Sequence, residues 1–516
     1  MHRILFQSRT HQFRNCGHFI CTHVLSLLIS VLGHNPNVAA QVNGPASAAN
    51  PPWLFQAGGS LTTTYTDNVL VADVSRESDL IGTATAVANL RGEGRRGSIN
   101  ATANLSFDSY AHKSNLNSER YNGLIASDVD IIEDMFRVRA NAATQLQSTS
   151  DSGAQPASER SIGQNQAQVL TYLVNPELHT RVGDGFEIRA NYNLSGTGYL
   201  SPPAGPNAAQ ASDTLTQVGV LTLTSGPSFT SLSWTLTGSI EKTKRLNTPA
   251  NVQNTGSSDR RNAEAVIQYR MSQALALTAT SGYDEINEPT LNQDTEDAYA
   301  RVGFVWVPSS RTNINLEGGY RYRGPNFQAD ITYAPREWLQ LRATFQESIE
   351  TQQRLVARQL GGVVRDDLGN LVDPITGLNP NVTQVPFDIS DQAFRRNSAQ
   401  LSLSGVFGRN NYSLTGQYET RDVDETRSDQ WSAQAALGRQ LSPHLAADVS
   451  FQYAKVEPRT ATLGQGQSET ISGLANLEYQ LGPTVYASLQ YIYQQRQSTI
   501  VDNYENVVVL SLTRRF

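Results

Sequence analysis

Cysteine is almost missing from this chain: of 516 residues two are cysteines, Cys16 and Cys21, and both fall near the N-terminus. No disulfide framework, thiol nucleophile or cysteine-based metal site is therefore available to the rest of the sequence. Histidine is scarce there too, with only His112, His179 and His444 in separate segments and none in a His-x-x-x-His or Glu-x-x-His arrangement. Metal-dependent and Ser/His catalysis have little to work with, so neither an enzyme nor a metal or cofactor is expected. Basic runs are lacking as well. The net charge is −7, and residues 1–40 hold three arginines and no acid, so without them it becomes −10. That balance argues against a nucleic-acid partner.

Long apolar runs are confined to the start of the chain. Arg3, Arg9 and Arg14 precede an apolar stretch from Phe19 to Leu32, and Val38-Ala39-Ala40 supplies the small residues that a signal peptidase needs. Residues 1–40 are expected to be a secretory signal peptide cut near Ala40/Gln41. A membrane anchor is disfavoured because Cys21, Thr22 and His23 interrupt the run, which is also short for a span. Neither cysteine follows a Leu-Ala-Gly lipoprotein pattern. No later stretch could form an apolar spanning helix, so any membrane crossing must be made by strands.

Strands are what the remaining sequence offers. Apolar residues alternate with polar ones in segments of about ten residues, the length of a tilted spanning strand. Val485, Ala487, Leu489, Tyr491 and Tyr493 alternate with Ser488, Gln490 and Gln494; Leu445, Ala447, Val449, Phe451 and Tyr453 with Asp448, Ser450 and Gln452. The same period runs through Ile99–Phe107, Phe186–Leu194, Ala298–Trp306, Leu339–Phe345, Ala399–Phe407 and Ile471–Tyr479. Mean hydropathy is negative, as a barrel that shows lipid only every second residue permits.

A soluble sandwich also alternates, so the connections must decide. Tight turns such as Gly183-Asp184-Gly185, Gly408-Arg409-Asn410-Asn411 and Gly482-Pro483 take turns with longer polar segments such as 149–163, 244–258 and 457–467. Aromatics close the apolar rows at Tyr283, Trp306, Tyr333, Phe345, Phe407, Tyr418, Trp431, Tyr453, Tyr479 and Tyr493. Short turns at one end, long loops at the other and an aromatic girdle predict an all-β, antiparallel up-and-down outer-membrane β-barrel of about 22 strands, within about 18–22. It would occupy residues 55–516 after a short periplasmic segment, 41–54, with both termini on the periplasmic side. Three rows, near 79–91, 119–131 and 164–182, leave open which parity faces lipid.

The final segment, VVVLSLTRRF, puts Val508, Leu510, Leu512 and Phe516 on one face. A strand-forming C-terminus ending in an aromatic suits a last strand that pairs with the first, and it resembles the signal by which outer-membrane barrels reach their assembly machinery. Arg514 shares that parity and is expected to reach for the head groups.

The opposite parity defines a candidate lumen lining rich in Ser, Thr, Asn and Gln. Its cations are Arg137, Arg139, Arg189, Arg270, Arg301, Arg321 and Arg342, set against Asp108, Glu187, Glu241, Glu264, Glu317, Asp330, Glu419, Asp448 and Glu478. Such charges can pair across strands and stiffen the wall, or line a hydrated path; their near balance disfavours strong selection for one ion sign. Gly92-Glu93-Gly94-Arg95-Arg96-Gly97 fits G-x-G-x-x-G, but it leads into the strand Ile99–Phe107 rather than a helix, so it reads as a turn. The long connection 351–391 is expected to be extracellular and to fold inward as a constriction. Its Asp366, Asp367, Asn370 and Asp373 do not have EF-hand spacing.

The segment TYTDNVLVADVSRESDLIGTATAVANLRGEGRRGSINATANLSFDSY, Thr64–Tyr110, resembles the start of outer-membrane proteins associated with exosortase (PEP-CTERM) and exopolysaccharide gene clusters, of the β-barrel porin 2 type. The likeness runs through Tyr65-Thr66-Asp67-Asn68, Ser78-Asp79-Leu80, the hairpin at Arg91–Gly97 and the later GNLVDPITG, Gly369–Gly377. Thr83-Ala84-Thr85-Ala86-Val87 departs from it where a Pro-Gly is expected. The resemblance implies a role in exporting or assembling an extracellular polysaccharide at the outer membrane of a Gram-negative bacterium, with periplasmic export proteins as partners and no catalytic residues. A general diffusion porin and a closed scaffold barrel remain the alternatives.

Overall fold

The computed structural model describes residues 53–148, 153–162, 165–200, 212–247, 256–288, 295–351, 354–355, 364–365, 371–372, 393–423, 426–459, 466–499 and 501–515. The expected signal peptide, most of the 351–391 connection and Phe516 lie outside these residues.

The strands are β1 (Trp53–Thr66), β2 (Asp79–Gly94), β3 (Gly97–Tyr110), β4 (Ser118–Ile132), β5 (Phe136–Ser148), β6 (Gln166–Val182), β7 (Phe186–Tyr199) and β8 (Asp213–Ser225). They continue as β9 (Leu232–Leu246), β10 (Ser258–Arg270), β11 (Leu275–Asn287), β12 (Thr295–Ser309), β13 (Thr312–Arg321), β14 (Gly324–Arg336) and β15 (Leu339–Thr351). The last seven are β16 (Ala393–Phe407), β17 (Asn410–Val423), β18 (Thr426–Ser442), β19 (Leu445–Pro458), β20 (Ser468–Gly482), β21 (Val485–Ser498) and β22 (Asn503–Arg515). Each pairs antiparallel with its sequence neighbours in one 22-stranded sheet. β22 then pairs with β1, from Gly58↔Arg515 to Thr66↔Val507, so the sheet closes and has no free edge. The C-terminal strand thus plays the closing role expected of it.

On the convex side of a closed sheet side chains splay apart, and on the concave side they crowd. The more exposed parity is therefore the outside, and it is the apolar one: Leu61 is 68% exposed, Val302 69% and Phe407 58%. The three ambiguous rows resolve with Leu80 and Ala84 of β2, Tyr121 and Ile131 of β4, and Leu178 and Val182 of β6 on this outer face. Exposed aromatics form two belts. Trp53, Phe55, Tyr269, Trp306, Tyr333, Phe407 and Tyr479 ring the end with the tight turns; Tyr65, Phe107, Tyr283, Tyr320 and Trp431 ring the end with the loops. Arg514 sits at the turn-end rim, paired with Val485. A closed antiparallel barrel with an apolar, twice-girdled exterior is the outer-membrane barrel fold.

Local chemistry explains the turns. Gly183 and Gly408 adopt left-handed φ angles of 58° and 61° in the tight turns after β6 and β16, where a Cβ would be strained. Pro176 has no N–H to donate, and the β6–β7 ladder breaks there, passing from Val174↔Leu194 to Glu177↔Asn191. At the loop end β13 and β14 are joined by Tyr322 and Arg323 alone, both left-handed at 54° and 60°. Two positive φ angles make the hairpin turn that normally calls for Asn-Gly, and non-glycine residues there cost about 1–2 kcal/mol each. Arg323 makes a half-exposed ion pair with Asp297, 2.8 Å. Arg323→Gly is therefore expected to raise stability by about 1 kcal/mol, read from the denaturant midpoint of the refolded barrel. A lowered midpoint would show that the ion pair outweighs the strain.

Candidate functional site: the lumen and its loop-end mouth

A ring of 22 strands spaced at about 4.8 Å and tilted by about 40° has a backbone diameter of about 40–45 Å if circular in section. Side chains on the wall cannot fill such a space. Two things therefore set what the lumen can do: the chemistry of its wall, and whatever folds into it.

The charged wall residues form ladders across neighbouring strands. Across β4 to β7, Arg137 Nε donates to Asp130 at 2.7 Å, Arg139 to Asp128 at 3.2 Å, and Glu177 lies between Arg139 (3.7 Å) and Arg189 (3.5 Å). Glu187 closes this ladder with His179 at 2.5 Å and Arg181 at 3.4 Å. Further round, Arg301 joins Glu264 at 3.3 Å and Glu317 at 3.2 Å. Arg321 reaches Asp284 at 2.7 Å, Arg342 meets Asp330 at 2.9 Å, and Glu419 is held by Arg396 and Arg421. Asp108 is clasped by Arg120 and accepts from Thr83 Oγ1 at 2.6 Å. Asp448 accepts from Asn476, its register partner, and Glu478 stands opposite Ser488. Arg270 lies at the turn-end rim, where its backbone N–H donates to Ser231. The β4–β7 pairs are open to water, which screens them, so each adds little to stability. Their larger effect is to cancel one another's charge along the wall.

Two inward structures at the loop end escaped sequence reasoning. Residues 153–162, between β5 and β6, dock against the inner wall on both sides of the β22–β1 closure. Glu505 of β22, 0% exposed, accepts from Thr66 Oγ1 at 2.6 Å, from the backbone N–H of Ala157 at 2.8 Å, and from Ser161 Oγ. The carbonyl of Gln155 accepts from Gln494 Nε2 at 2.7 Å, and its side-chain oxygen accepts from Arg496 at 3.1 Å. On the other flank Tyr110 Oη donates to the carbonyl of Arg160 at 2.6 Å, Arg160 Nε donates to Thr83 Oγ1 at 3.0 Å, and Arg120 pairs with Glu159 at 2.9 Å. Burial, and then repulsion from Arg120, lower the Arg160 pKa. Glu505 carries the inward parity opposite Val508 and Leu510, so extending that row by two residues would have flagged it. Nothing in the sequence marks 153–162 as its partner.

The second structure lies where β9–β11 meet β15 and β16 above the short β13–β14 hairpin. Ile286, Ile349 and Ala393 form a buried apolar cluster with Tyr322 packed against it. Beside it three arginines and three glutamates interlock. Arg245 bonds Glu288 at 2.6 Å, Arg260 lies 3.7 Å from Glu288 and donates to the carbonyl of Ile349 at 2.7 Å, and Arg354 reaches Glu241 at 2.9 Å and Glu350 at 3.7 Å. Burial alone would raise the Glu288 pKa, but Arg245, Ser258 and Arg260 hold it below the ordinary value. Arg354 belongs to the long connection expected to constrict the pore. The described start of that connection turns toward β9, and Val364–Arg365 pairs antiparallel with Leu371–Val372; its acidic Asp366, Asp367 and Asp373 lie outside the described residues.

No family model matches the chain, and no curated protein does. Among solved structures, the ferric enterobactin receptor PfeA of Pseudomonas aeruginosa is similar at a TM-score of 0.48 and 10% identity, over 89% of this chain and 81% of that one. The siderophore receptor PirA of the same organism gives 0.44 at 9% identity, over 90% and 80%. OccD1 (OprD) gives 0.32 at 8% identity, over 90% and 95%.

Proposed function

We propose that this protein is an outer-membrane channel of a Gram-negative bacterium that lets an extracellular polysaccharide pass from periplasm to surface. The observation that carries the reading is a lumen too wide for its own side chains to fill, whose charges largely neutralise one another and leave amides and hydroxyls to face the solute. Such a wall offers weak hydrogen bonds of either polarity, each worth little net because water competes for it. Weak, repeated binding lets a chain enter and leave. The resemblance of Thr64–Tyr110 to exosortase- and exopolysaccharide-associated barrels supports the same reading, with inner-membrane polymerising and periplasmic export proteins as partners. A general diffusion porin is the second reading, favoured by the same wide and neutral wall.

Swelling of proteoliposomes holding the refolded protein tests the proposal. Neutral oligosaccharides are expected to enter at rates set by size, and cationic and anionic solutes of equal size at similar rates. Vesicles inert to every sugar, or a strong preference for one ion sign, would contradict it.

A further inference from the structure

The lumen wall is uneven, and its register shows how. The ion-pair ladder occupies β4–β7, whereas the wall from β16 to β21 carries an unbroken cross-strand row of neutral polar side chains. Pairing runs Ser402↔Thr415, Thr415↔Gln434, Gln434↔Gln452, Gln452↔Ser472 and Ser472↔Gln494. All six share the inward parity, opposite Leu403, Leu414, Ala433, Phe451, Ile471 and Tyr493.

This row climbs the barrel. Ser402 lies in the half of β16 nearer the tight turn at Gly408, whereas Gln494 lies near the loop end of β21. The climb follows from strand tilt: a row perpendicular to strands tilted by about 40° and spaced by about 4.8 Å rises about 3 Å along the axis per strand. Both of its ends meet something. At the foot, Ser402 borders a cavity of about 390 Å³ also lined by Asn315, Gln328, Arg342, Thr344 and Gln400. At the top, Gln494 donates to the carbonyl of Gln155 on the inward segment 153–162. Between them hydrogen-bonding capacity is left over: Gln434 Nε2 in the row, and Arg342 Nε and Asn315 Oδ1 at its foot, find no partner among the described residues.

We infer that this row is a staircase of saccharide subsites, entered at the 390 Å³ cavity and left beneath residues 153–162, for a neutral, hydroxyl-rich glycan chain. It rests on the reading of the lumen as a sugar path and adds which wall carries the sugar. Amides and hydroxyls both donate and accept, as sugar hydroxyls do, and successive side chains about 4.8 Å apart repeat on the scale of one sugar ring. On β4–β7, by contrast, the ladder side chains are charged and face one another.

The test is block of single-channel current by a linear neutral malto-oligosaccharide, with fold verified by heat-modifiable migration. Gln434→Leu/Gln452→Leu is expected to raise the half-blocking concentration about tenfold, with block read as a fraction of that variant's own sugar-free current. The control pair Thr222→Val/Thr237→Val, register partners on β8 and β9, is expected to leave it unchanged. Should the leucine pair fail to fold, Thr415→Val/Ser472→Ala removes two hydroxyls of the same row at smaller cost and is expected to shift block in the same direction. A wild-type channel blocked by sugar whose row variants are blocked equally well overturns the staircase and leaves the channel reading standing. A wild-type channel that no sugar blocks overturns both.

Discussion

Excising residues 153–162 is expected to give the largest functional change of any alteration in this protein: a several-fold rise in single-channel conductance with the barrel intact. This segment stands in the lumen, fastened by polar contacts to Glu505, Gln494, Arg496, Tyr110, Thr83 and Arg120 and by Ile162, which packs against Val69, Ile81 and Tyr110 and donates its N–H to the Val69 carbonyl at 2.9 Å. The barrel closes through the β22–β1 ladder and does not depend on it. A milder form of the same experiment is Glu505→Ala, which leaves the Thr66 and Ser161 hydroxyls and the Ala157 N–H without their acceptor. Leaving such groups unsatisfied costs about 1–3 kcal/mol, enough to multiply the detached population by about 5–150. That variant is expected to flicker to the conductance level of the excised form. An excised channel with wild-type conductance would show that the segment does not narrow the path.

Glu288→Ala is expected to be among the most destabilising single substitutions at the loop end, by about 3–5 kcal/mol, because it strands buried cations. The Glu288 side chain is 1% exposed and the Arg245 guanidinium that faces it 2%, with Arg260 close by. The pH dependence has a definite sign. Since the Glu288 pKa is lowered in the folded state, its contribution is present above the unfolded carboxylate value and is lost as pH falls through the folded one. The denaturant midpoint of the wild type is therefore expected to gain no weakness from this site until the pH drops below the ordinary value of 4.5, whereas Glu288→Gln loses that dependence. An unchanged midpoint in Glu288→Ala would show that the cluster relaxes around the loss.

The wall of this molecule was legible in its sequence because the signal is local. Period-two rows such as Val485–Tyr493 fix which face meets lipid, and the tight turns fix register once each row is known. Strand number and closure followed from counting rows and from the strand-like C-terminus. Where two faces were similar in character, as in 79–91 or 164–182, only pairing to a neighbour decided, since parity carries no information without contrast. The mouth was not legible, because its contacts join residues remote in sequence: Ser161 meets Glu505, and Arg354 meets Glu241. A polar loop that folds inward has the same composition as one that faces water. Length marks 351–391, most of which lies outside the described residues; 153–162 carries no such mark.

The measurement that bears most directly on the account is single-channel conductance of the refolded protein in a planar bilayer, with and without neutral oligosaccharides. Large, weakly ion-selective steps that sugars block are the predicted result. A folded, heat-modifiable barrel that passes no current, before or after removal of residues 153–162, would contradict it and leave a closed scaffold in its place.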